Sequence, residues 1–122
     1  MKKRVLDIGN CAADHGAIRG LIERIFNAEV VQSHDQKNAL EQLNRDNFDL
    51  VLINRKLDLD GSDGLAILKQ IKSEQGSTPP MMLITNFDEF QKLAQDNGAV
   101  PGFGKAQLDA PSTYERLAEY LA

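Results

Sequence analysis

The alternation of short apolar runs with longer amphipathic segments constrains the fold of this chain more than any other feature. Five times, an apolar run of strand length is followed by a segment in which apolar residues recur at helical spacing. The apolar runs, in chain order, are RVLDI, AEVVQ, FDLVLIN, MMLIT and VPGFG. Such alternation predicts parallel strands joined by helices that cover both faces of one sheet. The 122 residues suffice for one compact domain, so we expect a doubly wound α/β domain of five β-α units over residues 1–122.

The sequence also predicts details of individual elements. FDLVLIN is the most continuous apolar run, which is typical of a central strand buried on both faces. The third predicted helix, LAILKQIKSEQ, extends to Gln75. In the fourth helix, Phe87 and Phe90 have the spacing of a buried stripe. Ser112 and Glu115 have capping-box spacing at the start of the fifth helix.

Composition and charge exclude several classes of function. The formal net charge is −4 and no basic run stands out, which argues against nucleic acid or an anionic membrane as a direct partner. The single cysteine, Cys11, cannot form an intrachain disulfide and indicates a reducing compartment. The first residues are too polar for a signal peptide, and no apolar run approaches the length of a membrane span. We therefore expect a cytoplasmic protein.

In doubly wound sheets the functional site lies beyond the carboxyl ends of the strands, where the strand order reverses. The residues at the predicted strand ends are therefore the candidates for a site. They are Gly9, Asn10, Asn54, Thr85 and Lys105.

At these positions the chain resembles the receiver domains of response regulators in two-component systems. The resemblance extends over nearly the whole chain, and its parts include NFDLVLINRKLDLDGSDGLAILKQIK, MMLIT and DNGAVPGFGK. The spacing from Asn54 to Thr85 to Lys105 is also typical of the family. The resemblance implies a (βα)5 fold of the flavodoxin-like, CheY-like type, with a five-stranded parallel sheet.

The resemblance also implies roles for the site positions. Receiver domains carry an acidic pair that binds magnesium, an aspartate that accepts the phosphoryl group, and a Thr or Ser and a Lys that contact its oxygens. Here the acidic pair falls on Gly9 and Asn10, and the phosphoacceptor position is Asn54, whereas Thr85 and Lys105 match. An amide is a poor nucleophile, and magnesium prefers anionic oxygens. These five residues are therefore interpreted as a vestigial phosphorylation pocket with no catalytic residue, no metal site and no cofactor.

The resemblance also implies an aromatic switch residue in the fifth strand, whose side chain changes rotamer. That position falls on Gly102 here, and alternation points Phe103 to the other side of the sheet. Without that side chain or a phosphoryl group, we expect one dominant conformation of the loop after the fourth strand.

Other acidic residues could in principle rebuild a site. Asp14 is better explained as a helix-start residue, and Asp58 and Asp60 as solvated loop residues. Asp7 lies in a buried strand and needs a partner, for which Arg19 and Lys105 are candidates.

Four further polar residues have simple structural interpretations. His15 and His34 are expected at the surface, and Cys11 is expected to be a buried structural thiol. Lys105, in the absence of a phosphoacceptor, is expected to pair with Asp7 or Asp58.

The function predicted from these features is that of a non-catalytic pseudo-receiver in a signalling phosphorelay. Its partner would be a protein, namely a histidine kinase, an output domain or another regulator. The resemblance implies a contact surface, and a possible homodimer, at the face of the fourth helix, fifth strand and fifth helix. Two alternatives stay open: a response regulator phosphorylated on an atypical acidic residue, and a sensor that binds an anion or small ligand in the vestigial pocket.

Overall fold

A computed structural model describes residues 2–74 and 76–122, and in it helices cover both faces of a parallel sheet. The strands are β1 (Lys3–Ile8), β2 (Ala28–Ser33), β3 (Leu50–Asn54) and β4 (Met81–Ile84). The helices are α1 (Ala12–Ile25), α2 (Gln36–Arg45), α3 (Gly64–Glu74), α4 (Asp88–Asp96) and α5 (Pro111–Leu121). The predicted last residue of the third helix, Gln75, lies outside the described residues. Within the described ranges, no helix is both long and apolar enough to cross a bilayer.

The strand order is β2-β1-β3-β4, and all neighbouring strands run parallel. The chain therefore moves outward from β1 to β2, returns to the other side of β1, and continues outward through β3 and β4. The strand order reverses between β1 and β3, so the residues that follow these two strands lie at the switch point. The predicted doubly wound α/β fold is confirmed.

The fifth β-α unit differs in one detail, because residues 99–104 form no regular strand. They pair with β4 at an isolated bridge between Ile84 and Phe103, and the amide of Val100 donates to the carbonyl of Met81. The amide of Thr85 donates to the carbonyl of Phe103 over 3.1 Å. Pro101 has no amide hydrogen to donate to a strand ladder. The amide of Gly102 donates to the side chain of Gln91. Among the described residues, the sheet thus has four full strands, with residues 99–104 lying along its β4 edge.

Two apolar cores form on the two faces of the sheet. Residues 50–53 of β3 are all fully buried, as expected for a central strand. Phe103 belongs to the core beneath α1 and α5, so its ring points away from α4, as alternation predicts. The core beneath α2, α3 and α4 contains Leu57, which follows β3 and is only 1% exposed.

Two predicted helix details are wrong. Helix α5 begins at Pro111 with Ala110 at the N-cap, so Ser112 lies inside the first turn and forms no capping box. Proline suits this position because the first helical amide needs no intrahelical partner. Phe87 is the N-cap residue of α4 and is 61% exposed, whereas Phe90 packs against the core.

Candidate functional site

The structure brings three of the five predicted site residues into one cleft. Asn54, Thr85 and Lys105 line a cleft of about 300 Å³ at the carboxyl end of the sheet. Gly9 is connected to it because the side-chain nitrogen of Asn54 donates to the carbonyl of Gly9 over 3.3 Å. Asn10 is 1% exposed and turns instead toward β1.

The side chain of Leu57 packs directly over Gly9. A Cβ atom built on Gly9 would lie 2.3 Å from Cγ and 2.8 Å from Cδ1 of Leu57. Gly9 also has a φ of +83°, in the left-handed region that disfavours residues with a Cβ. The amide of Asp58 donates to the Gly9 carbonyl over 2.9 Å, which holds the loop in place. No side chain other than hydrogen fits at residue 9 in this arrangement.

Asn54 uses its amide nitrogen as a donor. Besides the Gly9 carbonyl, this nitrogen donates to the carbonyl of Lys56 over 2.8 Å. A carboxylate cannot make these bonds, since it only accepts hydrogen bonds. Asn54 therefore ties the end of β3 to β1 and to the following loop.

Asp7 forms a buried polar cluster with two neighbours. It is fully buried, its Oδ1 accepts from Nδ2 of Asn10 over 2.5 Å, and its Oδ2 lies 2.7 Å from Nδ1 of His15. Burial raises the pKa of the Asp7 carboxyl, against the opposing effect of the hydrogen bonds with His15 and Asn10. The predicted partners, Arg19 and Lys105, are wrong. The predicted surface position of His15 is also wrong, since this residue is 8% exposed, whereas His34 is exposed as expected.

Asp14 lies in the first turn of α1 and forms an ion pair with Lys105. The distance from Lys105 Nζ to Asp14 Oδ2 is 2.7 Å, and this hydrogen bond is the main cause that lowers the pKa of the Asp14 carboxyl. Lys105 thus pairs with neither Asp7 nor Asp58, so that prediction is wrong. The N-cap residue of α1 is Cys11, whose sulfur accepts from the Asp14 amide. Cys11 is half-buried, not fully buried as predicted.

The acidic residues of the loop after β3 face solvent. Asp58 and Asp60 are exposed, and Asp60 accepts hydrogen bonds from the hydroxyl and amide of Ser62, which lower its pKa. In the described part of the chain, no three His, Cys, Asp or Glu residues are grouped so that they could hold a metal ion. The acidic residues near the site therefore do not converge on one point.

Sequence analysis missed two residues of the site region. His15 precedes Ile18 and Ile22 by three and seven residues, so its helical spacing already places it on the buried face of α1. For Leu57 no such signal exists, because it lies in a loop whose path is fixed by contacts distant in sequence.

Comparison with known proteins gives independent evidence on the family and the fold of the chain. The family model of the response regulator receiver domain matches residues 11–100. The structure of the Francisella response regulator 1452 receiver domain is 19% identical, with a TM-score of 0.80 over 98% of this chain and 97% of that chain. The BeF3-activated N-terminal receiver domain of Klebsiella pneumoniae RstA is 21% identical, with a TM-score of 0.80 over 97% of both chains. NtrX from Brucella abortus is 21% identical, with a TM-score of 0.77 over 98% of this chain but 28% of NtrX. No curated protein sequence matches the chain.

Proposed function

The chain belongs to the response regulator receiver domain family, and from that premise we propose that it is a pseudo-receiver that signals through protein contacts without being phosphorylated. Receiver domains are in general non-enzymatic signalling modules. In this proposal residues 1–122 form one such module in the cytoplasm, and Gly9, Asn10, Asn54, Thr85 and Lys105 are its vestigial pocket. The partner is a histidine kinase, an output domain or another regulator, and a homodimer through α4, residues 99–104 and α5 is one form of contact.

The observation that carries the proposal is the role of Asn54. A phosphoacceptor must present a nucleophilic oxygen to the donor. The residue at this position is an amide, and its nitrogen is engaged with the carbonyls of Gly9 and Lys56. The side chain therefore serves to fasten the backbone at the place where the family carries its reactive carboxylate.

The residues present do not fit the magnesium ion that the family implies. Magnesium requires oxygen ligands, preferably anionic, in octahedral geometry. Gly9 has no side chain and the space beside it is filled by Leu57. Asn10 donates to Asp7, whose second oxygen is engaged by His15. No carboxylate on these residues is free to hold the ion.

The test is incubation of the protein with magnesium and a small acyl phosphate, followed by intact mass measurement. A phosphorylatable receiver domain in the same tube shows that the donor is active. We expect an unchanged mass for this chain. A gain equal to one phosphoryl group would overturn the proposal, and its loss in an Asp58→Asn variant would identify the atypical acceptor.

A second candidate function, an anion sensor, is favoured by the cleft itself. Its walls contain Lys56, Thr85 and Lys105, which offer positive charge and a hydroxyl group to an anion. Lys105 is engaged with Asp14, so an anion has to compete with that carboxylate. Inorganic phosphate should then raise the melting temperature more in Asp14→Asn than in the parent protein, and not at all in Lys105→Gln. Equal shifts with chloride at matched ionic strength would exclude this candidate.

A further inference from the structure

We propose that Gln91 is a clamp that fixes α4 to β4 and to Gly102, so that the face formed by α4 and α5 is held in one arrangement without phosphorylation. The inference rests on the proposed function, because a module that is never phosphorylated needs its contact surface formed in advance. It concerns how that surface is held, which the loss of the phosphorylation site does not explain.

The side-chain amide of Gln91 bridges two backbone segments. Its nitrogen donates to the carbonyl of Leu83 in β4 over 2.8 Å, and to that of Thr85 over 3.4 Å. Its oxygen accepts from the amide of Gly102 over 3.0 Å. Gln91 thus links β4 to residue 102, whose own amide does not bond β4 directly.

The other backbone group of Gly102 is bound by α5. Nη1 of Arg116 donates to the Gly102 carbonyl. One residue of the 99–104 segment is therefore held by one side chain from α4 and one from α5. Since both helices are tied to the same residue, movement of either one disturbs the other.

The packing at Gly102 leaves no room for a switching side chain. A Cβ atom built there would lie 2.4 Å from the Leu83 carbonyl oxygen and 3.2 Å from Oε1 of Gln91. The resemblance places an aromatic residue at this position, where a change of rotamer would couple the site to the surface. Here that space is occupied by the Gln91 amide.

Displacement of α4 from β4 would break the bonds to Leu83 and Gly102 together. It would also leave a carbonyl and an amide without partners in a half-buried position. The desolvation penalty of such unpaired groups exceeds the net stabilisation that a hydrogen bond provides. We therefore expect α4 to stay in place on the microsecond-to-millisecond timescale.

The experiment compares the parent protein with Gln91→Ala, Gln91→Glu and a matched control, Gln95→Ala. Gln95 lies one turn further along the exposed side of α4, and its side chain donates to the carbonyl of Gln91. Amide hydrogen exchange of Gly102 is measured by NMR, together with relaxation dispersion of α4, which detects microsecond-to-millisecond motion.

In Gln91→Ala, the Gly102 amide should exchange about tenfold faster, as expected for the loss of one hydrogen bond of about 1.4 kcal/mol, and α4 should show dispersion. Gln95→Ala should match the parent protein. Gln91→Glu keeps an acceptor for Gly102 but places a carboxylate against the Leu83 carbonyl, so α4 should become mobile and the Gly102 amide should exchange faster than in the parent protein, because both contacts depend on the position of α4. If Gln91→Ala does not fold, the Gln91→Glu variant still tests whether Gln91 fixes α4.

Gly102 exchange within twofold of the parent protein in Gln91→Ala, or a rigid α4 in Gln91→Glu, would show that Gln91 is not a clamp. Neither result bears on phosphorylation, so the pseudo-receiver proposal would stand. Conversely, a mass gain with the acyl phosphate would refute the pseudo-receiver whatever the exchange data show.

Discussion

Replacement of Gly9 by alanine is expected to lower the free energy of unfolding by about 2–5 kcal/mol. The φ of +83° costs a residue with a Cβ about 1–2 kcal/mol. The new methyl group would lie 2.3 Å from Cγ of Leu57, and overpacking of this kind costs about 1–3 kcal/mol. The two effects are separate, because only the second depends on Leu57.

The two effects can be separated by a double-mutant cycle. Leu57→Ala alone should cost about 2–5 kcal/mol, because this buried side chain leaves a cavity. In the double variant the clash at Gly9 disappears, since Cγ and Cδ1 of Leu57 are gone. The double variant should therefore be more stable than the sum of the single changes predicts, by about 1–3 kcal/mol.

Urea unfolding followed by circular dichroism measures all four proteins. Gly16→Ala is the matched control, because Gly16 lies in α1 and a Cβ there meets no atom within 4 Å. It should be neutral or stabilise the protein by up to about 1 kcal/mol. A cost below about 0.5 kcal/mol for Gly9→Ala, or additivity of the two changes within about 0.5 kcal/mol, would refute the reasoning.

The same clash bears on any attempt to rebuild the metal site. The triple change Gly9→Asp, Asn10→Asp, Asn54→Asp supplies three carboxylates, but the first of them meets Leu57. We expect no rise in melting temperature with magnesium at matched ionic strength, unless Leu57 is also reduced to alanine. A clear rise in the triple variant alone would contradict this account of the site.

Three further changes test other contacts of the site. Asn54→Asp alone should stay unphosphorylated by an acyl phosphate in an intact-mass assay, and should lose about 1–3 kcal/mol of stability because its carboxylate would face two backbone carbonyls. His15→Ala should cost about 3 kcal/mol in urea unfolding because the buried Asp7 loses one of its two partners and keeps Asn10 alone; His34→Ala, at an exposed position, should change stability by less than about 0.5 kcal/mol. Asp14→Asn should cost less than about 1 kcal/mol at pH 7, since the ion pair is partly exposed. The folded-state pKa of Asp14 is lowered, so this contribution is complete above the unfolded value of 3.8 and lost as the pH falls through the folded pKa; a difference between parent and variant that does not shrink at acid pH would contradict the pairing.

The fold could be predicted from the sequence because buried parallel strands and amphipathic helices each have a recognisable pattern of apolar residues. FDLVLIN is uninterrupted because β3 is buried on both faces, and the helices show their apolar stripes. VPGFG has the same apolar character and was predicted as a full strand. It pairs with β4 at one isolated bridge, and its Gly102 amide bonds Gln91, a contact distant in sequence that no local pattern contains.

The site was predictable in position but not in arrangement. Strand ends identify Asn54, Thr85 and Lys105, since the carboxyl ends of parallel strands meet at one edge of the sheet. The partner of Lys105 could not be predicted, because the sequence offers several carboxylates near the strand ends. The structure pairs Lys105 with Asp14. The position of Leu57 over the site depends in the same way on the path of an irregular loop.

The packing of Leu57 over Gly9 also bears on how such a domain can change by descent. In any chain that carries both residues, an acid at residue 9 lowers the stability of the fold unless residue 57 has changed first. The change at residue 57 is itself costly while residue 9 is glycine, because it opens a cavity. Each single step toward an acidic side chain at residue 9 is thus unfavourable, and the order of the steps matters. The packing of a neighbouring side chain therefore keeps residue 9 a glycine.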